Sequence, residues 1–122
     1  MLYVLPETAG DIVVVQATGQ LTAEDYQNDF LPLLNEKLEQ FGAVRVLIYL
    51  DRDFTGWTAG ALWKDARFGL AHRNDFKRLA IVGDARWLDW AALIGEQLIS
   101  GECRHFAERE FLQALHWIDG AE

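Results

Sequence analysis

A chain of 122 residues with 51% hydrophobic and 25% charged residues has the balance of one folded domain, since two domains would leave each too small for its own core. The formal net charge of −8 repels polyanions and removes nucleic acid from the expected partners. Cys103 is the only cysteine, which excludes an intramolecular disulfide and a cysteine-built metal cage. The N-terminus lacks a basic stretch followed by an apolar one, and no apolar run approaches the roughly 18 residues of a spanning helix. A reducing, cytoplasmic setting is the expectation.

In chain order, Leu2 to Leu5 and Ile12 to Thr18 are β-rich, and Glu7-Thr8-Ala9-Gly10-Asp11 between them has turn chemistry, so a hairpin is predicted. Gly19-Gln20-Leu21 leads into a helix that Thr22 can cap, with Glu24 and Asp25 complementing the dipole in its first turn. Phe30, Leu34, Leu38 and Phe41 recur at helical spacing, Pro32 should kink or divide that helix, and Gly42 should stop it. Val44 to Leu50 is apolar apart from Arg45 and reads as a strand buried on both faces.

A second helix is expected from about Thr58 to His72, broken by Arg73-Asn74-Asp75, then a buried strand from Arg78 to Val82 ended by Gly83-Asp84. Ala85 to Ile99 forms a third helix, Cys103 to Phe106 a short last strand, and Glu108 to Ile118 a closing helix with Phe111, Ala114, Leu115 and Ile118 on one face. The order ββαβαβαβα predicts a single α/β domain: a mostly parallel mixed sheet of four to five strands with an antiparallel edge strand and about four helices. In such a sheet, ligands gather outside the carboxyl ends of the strands.

Two segments occupy those ends. Asp51-Arg52-Asp53-Phe54-Thr55-Gly56-Trp57-Thr58 follows the central strand; there Asp53, Thr55 or Thr58 can cap the next helix, and the same carboxylate, hydroxyls and Trp57 can also hold a ligand. Gly83-Asp84-Ala85-Arg86-Trp87 follows the next strand, with Asp84 as an N-cap or ligand contact and Trp87 as core or cleft wall. Neither has the glycine spacing of a phosphate-cradling loop, and no cofactor is expected.

On the second helix, Ala59, Leu62, Trp63, Ala66 and Leu70 make one apolar stripe, while Trp57, Ala61 and Phe68 fall on the opposite side. Apolar residues on both sides point to a partner, ligand or membrane surface. From Lys64 to Arg78 the basic residues Lys64, Arg67, Arg73, Lys77 and Arg78 outnumber Asp65 and Asp75 within an acidic chain. With Phe68 and Phe76 they could dock at a lipid interface or an acidic protein, or simply form a solvated face with helical ion pairs. Catalytic patterns are lacking: His72, His105 and His116 are dispersed, Cys103 and His105 share a strand face without an orienting third group, and no carboxylate pair or nucleophile elbow is present.

The element order, together with Asp53-Phe54-Thr55-Gly56-Trp57-Thr58, Val82-Gly83-Asp84 with Trp87, and the closing segment from Arg104-His105-Phe106 to Glu110, resembles the SpoIIAA-like branch of the STAS family, named for sulfate transporters and anti-sigma factor antagonists. The resemblance implies a non-enzymatic, often dimeric module. In anti-sigma factor antagonists a serine just before a glycine at the start of the second helix is phosphorylated, and Thr55 before Gly56 stands in the similar position, although Trp57 replaces a small residue. The branch is also described with the lipid-binding SEC14-type fold, for which helix movements opening an apolar cleft have been proposed.

The expected function is a small-ligand or lipid-responsive binding module, able to touch the inner face of a membrane peripherally through the second helix and to form a homodimer. Trp57, Trp63 and Trp87 would line its cleft, with Asp53, Thr55, Thr58 and Asp84 at the polar head. The alternative is a protein-interaction switch in which Thr55 is the phosphoacceptor and a regulatory protein the partner.

Overall fold

The computed structural model describes residues 1–61, 67, 71–72, 74–87, 89 and 101–120. Strands β1 (Leu2–Val4), β2 (Ile12–Ala17), β4 (Val44–Leu50), β6 (Phe76–Val82) and β7 (Glu102–Phe106) form a sheet in the order β1-β2-β4-β6-β7. β1 runs antiparallel to β2, and the remaining neighbours are parallel. This is the anticipated mostly parallel sheet with an antiparallel edge. The Thr8 hydroxyl holds the hairpin closed, accepting from Val14 N at 2.9 Å and donating to Val14 O at 3.1 Å.

A feature without a sequence expectation is a second, two-stranded parallel pair, β3 (Gln20–Leu21) with β5 (Gly56–Trp57). Two-residue strands carry no readable alternation, so only tertiary pairing reveals them.

The first helical segment begins at Ala23. Thr22 and Asp25 form a reciprocal cap, Thr22 N donating to Asp25 Oδ2 at 2.9 Å and Asp25 N to Thr22 Oγ1 at 3.2 Å. The segment is divided just before Pro32, as expected. The turn Tyr26–Phe30 is widened, with Leu31 N donating five residues back to Tyr26 O, and Pro32 then sits in the first turn of the α-helix Leu31–Phe41, where a missing N–H is tolerated. Gly42 ends the helix in the left-handed region at φ 78°.

Alternation along the strands divides the core into two layers. Val13, Val15, Val44, Val46, Leu79 and Ile81 meet Leu21, Tyr26, Phe30, Leu34, Phe54 and Ala61 on one face. Val14, Leu47, Ala80, Val82 and Phe106 meet Ala114 and Ile118 of the closing helix Phe111–Ile118 on the other. Arg45, the polar interruption in the central strand, lies on this second face. Its Nη2 is 2.6 Å from Asp11 Oδ1, and its Nη1 donates to Ile118 O at 3.0 Å, so it ties the turn before β2 to the carbonyl end of the closing helix. Arg78, next to it across the ladder, donates in the same way to Trp117 O.

The Arg45 hydrogen bond holds the Asp11 carboxyl below its ordinary value, against the opposing effect of burial. A carboxylate lowered in the folded state contributes stability above its unfolded value and loses it as pH falls through the folded one. Asp11→Asn should therefore cost about 1–3 kcal/mol at neutral pH, with the gap from wild type narrowing once the pH drops below about 4. Denaturant titrations at neutral and acid pH measure this; a pH-independent gap contradicts it.

Candidate functional site

The carboxyl ends of β2, β4 and β6 are closed by aromatic side chains. After β4 the chain turns through Asp51-Arg52-Asp53: Asp51 Oδ2 accepts from Gln16 Nε2 at 2.8 Å, its Oδ1 from Asp53 N at 3.0 Å, and Phe54 N donates to Asp51 O at 3.1 Å. Phe54 is thereby turned back under the sheet end and is fully buried. The loop is then tied to the chain leaving β2, with Gly19 N on Asp53 O at 3.1 Å, Thr55 N on Gly19 O at 2.8 Å and Thr58 N on Leu21 O at 2.9 Å. Gly56, at φ 121°, takes a backbone conformation that a side chain would strain.

Around Phe54 stand two tryptophans. Ring centroids are 4.9 Å apart for Phe54 and Trp57, 4.8 Å for Phe54 and Trp87, and 5.5 Å for Trp57 and Trp87, with both contacts of Trp57 edge-to-face. The Trp87 ring reaches from Gly83 to Gly56: a Cβ on those glycines would lie 3.4 Å from its Cδ1 and 3.7 Å from its Cη2. The two indoles differ in their polar atoms. Trp57 Nε1 donates to the Tyr26 hydroxyl at 3.0 Å, whereas Trp87 Nε1 is buried and has no acceptor among the described residues. His105 Nε2 is a second buried nitrogen in that condition.

Asp84 and Thr58 have defined local roles. The Asp84 carboxylate accepts from Arg86 N at 2.9 Å and takes the Arg86 guanidinium through both oxygens, with Nη2 at 2.9 Å. The Arg86 hydrogen bonds hold that carboxyl below its usual value. Thr58 Oγ1 accepts from Ala61 N at 3.1 Å and caps the helical turn of residues 59–61. Asp53 and Thr55 are exposed at the loop surface.

Three expectations require correction. Trp57 belongs to β5, not to the second helix, because Gly56 and Trp57 are drawn into extended pairing with β3. Ala61 is buried and Ala59 exposed, the reverse of the expected stripe. Phe76 is no surface residue: it opens β6 opposite Val44 and is 8% exposed, while Arg67 is exposed. Trp63, Lys64, Phe68 and Arg73 lie outside the described residues. Phe54 and Tyr26 complete the site, although the sequence pattern did not single them out. An aromatic flanked by Asp53 and Thr55 in a turn, and one four residues before Phe30, were the signals available.

Among the described residues no three His, Cys, Asp or Glu side chains are placed to share a metal ion. Burial pushes the Cys103 thiol up to about 11, which leaves it protonated at neutral pH and a poor nucleophile. Among the described residues no helix is long and apolar enough to cross a membrane.

The model of the SpoIIAA-like family matches residues 12–119, which span every strand of the sheet except β1. The chain belongs to the SpoIIAA-like family. A solved structure from Shewanella loihica, an uncharacterised protein with a SpoIIAA-like fold, is 30% identical, with 96% of this chain and 93% of that one covered and a TM-score of 0.71. No curated protein matches. The aromatic site is thus set on a SpoIIAA-like sheet, consistent with a STAS-like domain.

In this SpoIIAA-like sheet Gly83 is the contact point between strand end and Trp87. A methyl there would stand 3.2 Å from Leu50 Cβ and 3.3 Å from Leu50 O. Leu50 is held in the ladder, so Trp87 must give way. Gly83→Ala should cost about 1–3 kcal/mol and shift the tryptophan emission. A variant with unchanged melting and emission would show the contact to be slack.

Proposed function

We propose that this protein is a non-enzymatic binding module that takes a small apolar or lipid-like molecule with an oxygen-bearing head against Phe54, Trp57 and Trp87. The supporting observation is the Trp87 indole N–H, buried in an aromatic wall with no acceptor among the described residues. A buried donor left without an acceptor costs about 1–3 kcal/mol, and a ligand oxygen would recover that while the rings cover its apolar body. Trp57 is excluded from that task by its bond to Tyr26. The Asp84 carboxylate is engaged by Arg86, so the polar contacts fall to Trp87 Nε1 and His105, with Asp53 and Thr55 at the exposed rim.

Titration with oleate, and separately with phospholipid vesicles, tests this reading through tryptophan emission and sedimentation. Oleate should change the emission, and Trp87→Phe should remove most of that change and weaken binding roughly fivefold to tenfold, the worth of one hydrogen bond. Co-sedimentation with vesicles would add the peripheral membrane contact expected of the second helix. Unchanged emission and sedimentation with both additions defeat the proposal.

A protein-interaction switch is favoured by one observation: Thr55 is exposed on a loop whose backbone is fixed to Gly19. A phosphate there would stand beside Asp51 and Asp53 and change the charge of the surface. Incubation with a lysate and ATP, followed by mass spectrometry, should find the phosphate on Thr55. Modification confined to other residues removes this reading.

A further inference from the structure

The opposite face of the sheet carries a groove that the aromatic site does not use. It has a volume of about 610 Å³, opens between β6, β7 and the closing helix, and its lining includes Arg78, Glu102, Arg104, Phe106, Leu112 and Trp117. Arg78 and Glu102 face each other in register, and Arg104 follows on the same side of β7, beside Ala80.

Both guanidinium groups lie over one indole. The Arg78 guanidinium carbon is 5.0 Å from the centroid of the Trp117 ring and that of Arg104 is 5.9 Å from it, while Arg104 is also 5.1 Å from the Phe106 ring. Stacking of this kind fixes a guanidinium by its flat face and leaves its edge of N–H donors outward. Arg78 spends part of that edge on Trp117 O, with Glu102 3.8 Å away. Arg104 makes no hydrogen bond or ion pair among the described residues, in a chain with 19 acidic residues against 11 lysines and arginines. Beside this cation Leu112 is 72% exposed, so the groove joins a preset positive fork to an apolar rim. Its charge is the reverse of the molecule's.

We propose that this groove binds a small organic oxyanion, a phosphate or carboxylate on a flat apolar body. The oxyanion takes the outward edge of Arg104, and the body lies against Leu112, Phe106 and Trp117. Arg–oxyanion pairs of this fork geometry are short and charge-assisted, and they discriminate strongly against neutral analogues.

Phenyl phosphate, benzoate and neutral phenol are the probes, read by calorimetry and by the indole N–H resonance of Trp117. Phenyl phosphate or benzoate should bind in the sub-millimolar range and weaken as salt is raised, whereas phenol should not bind. Arg104→Met keeps an apolar stem of similar length over the rings; it should melt like wild type and lose affinity roughly tenfold. Arg104→Lys should fall between the two, and Trp87→Phe should leave oxyanion binding unchanged, which separates this site from the aromatic one. Competition by vesicles containing phosphatidic acid, but not by phosphatidylcholine vesicles, would assign the oxyanion to a lipid headgroup; indifference to both assigns it to a soluble ester or acid. Equal binding by Arg104→Met, equal binding of phenol, or no binding of either anion at millimolar concentration overturns the proposal.

Discussion

The central strand Val44–Leu50 is flanked by parallel neighbours on both sides and carries apolar side chains to both faces of the sheet. Its Val46 and Leu47 are buried on opposite sides. A strand so placed is stable only when each face has its own cover, and the rest of the architecture answers that demand. The segment from Tyr26 to Leu38 supplies one cover and the closing helix the other. The closing helix is short, and its carbonyl end needs donors. Arg45 and Arg78 supply them from within the sheet, which is why charges interrupt otherwise apolar strands on this face alone.

The ends of the strands need closing as well as their faces. A parallel sheet sends its chain out at the carboxyl edge, where the last apolar side chains would meet water. Phe54 fills that edge because the Asp51 turn reverses the chain within three residues, and the short β3–β5 pairing then holds Trp57 against it. Trp87 enters from the next crossover and completes the wall. Building the wall from two different loops leaves the two indole N–H groups in unlike surroundings: one inside the fold's own hydrogen bonding, the other without an acceptor among the described residues.

The elements legible in the sequence were those that repeat. Alternation and apolar runs located β2, β4, β6 and β7 to within one or two residues, and the cap at Thr22 and the stop at Gly42 were local chemistry read directly. What escaped depended on partners distant in sequence. Gly56-Trp57 has no strand signature of its own and becomes extended beside Gln20-Leu21. Phe76 was read with the basic residues around it, yet β6 begins two residues earlier than Arg78 and draws it into the core. Pro32 was read as a kink or division, and the helix does divide at the widened turn that precedes it. For the candidate site, Trp57, Trp63 and Trp87 were expected as its aromatic residues; Trp63 lies outside the described residues, and Phe54 and the Tyr26 hydroxyl required the folded chain.

The two faces keep different chemistry apart by the register of a single edge strand. Along β7, Cys103 points to the aromatic side, and Glu102, Arg104 and Phe106 point to the groove. A slip of one residue would exchange His105 with Arg104, placing a permanent cation against the tryptophan wall and emptying the groove of its charge. Nothing in the alternation of Glu102–Phe106 is apolar enough to prevent this by itself. Gly101 prevents it sterically: a Cβ there would lie 2.2 Å from Phe76 O and 2.6 Å from Lys77 O, so the chain entering β7 is pressed against the backbone that opens β6, at a spacing no other residue type can occupy.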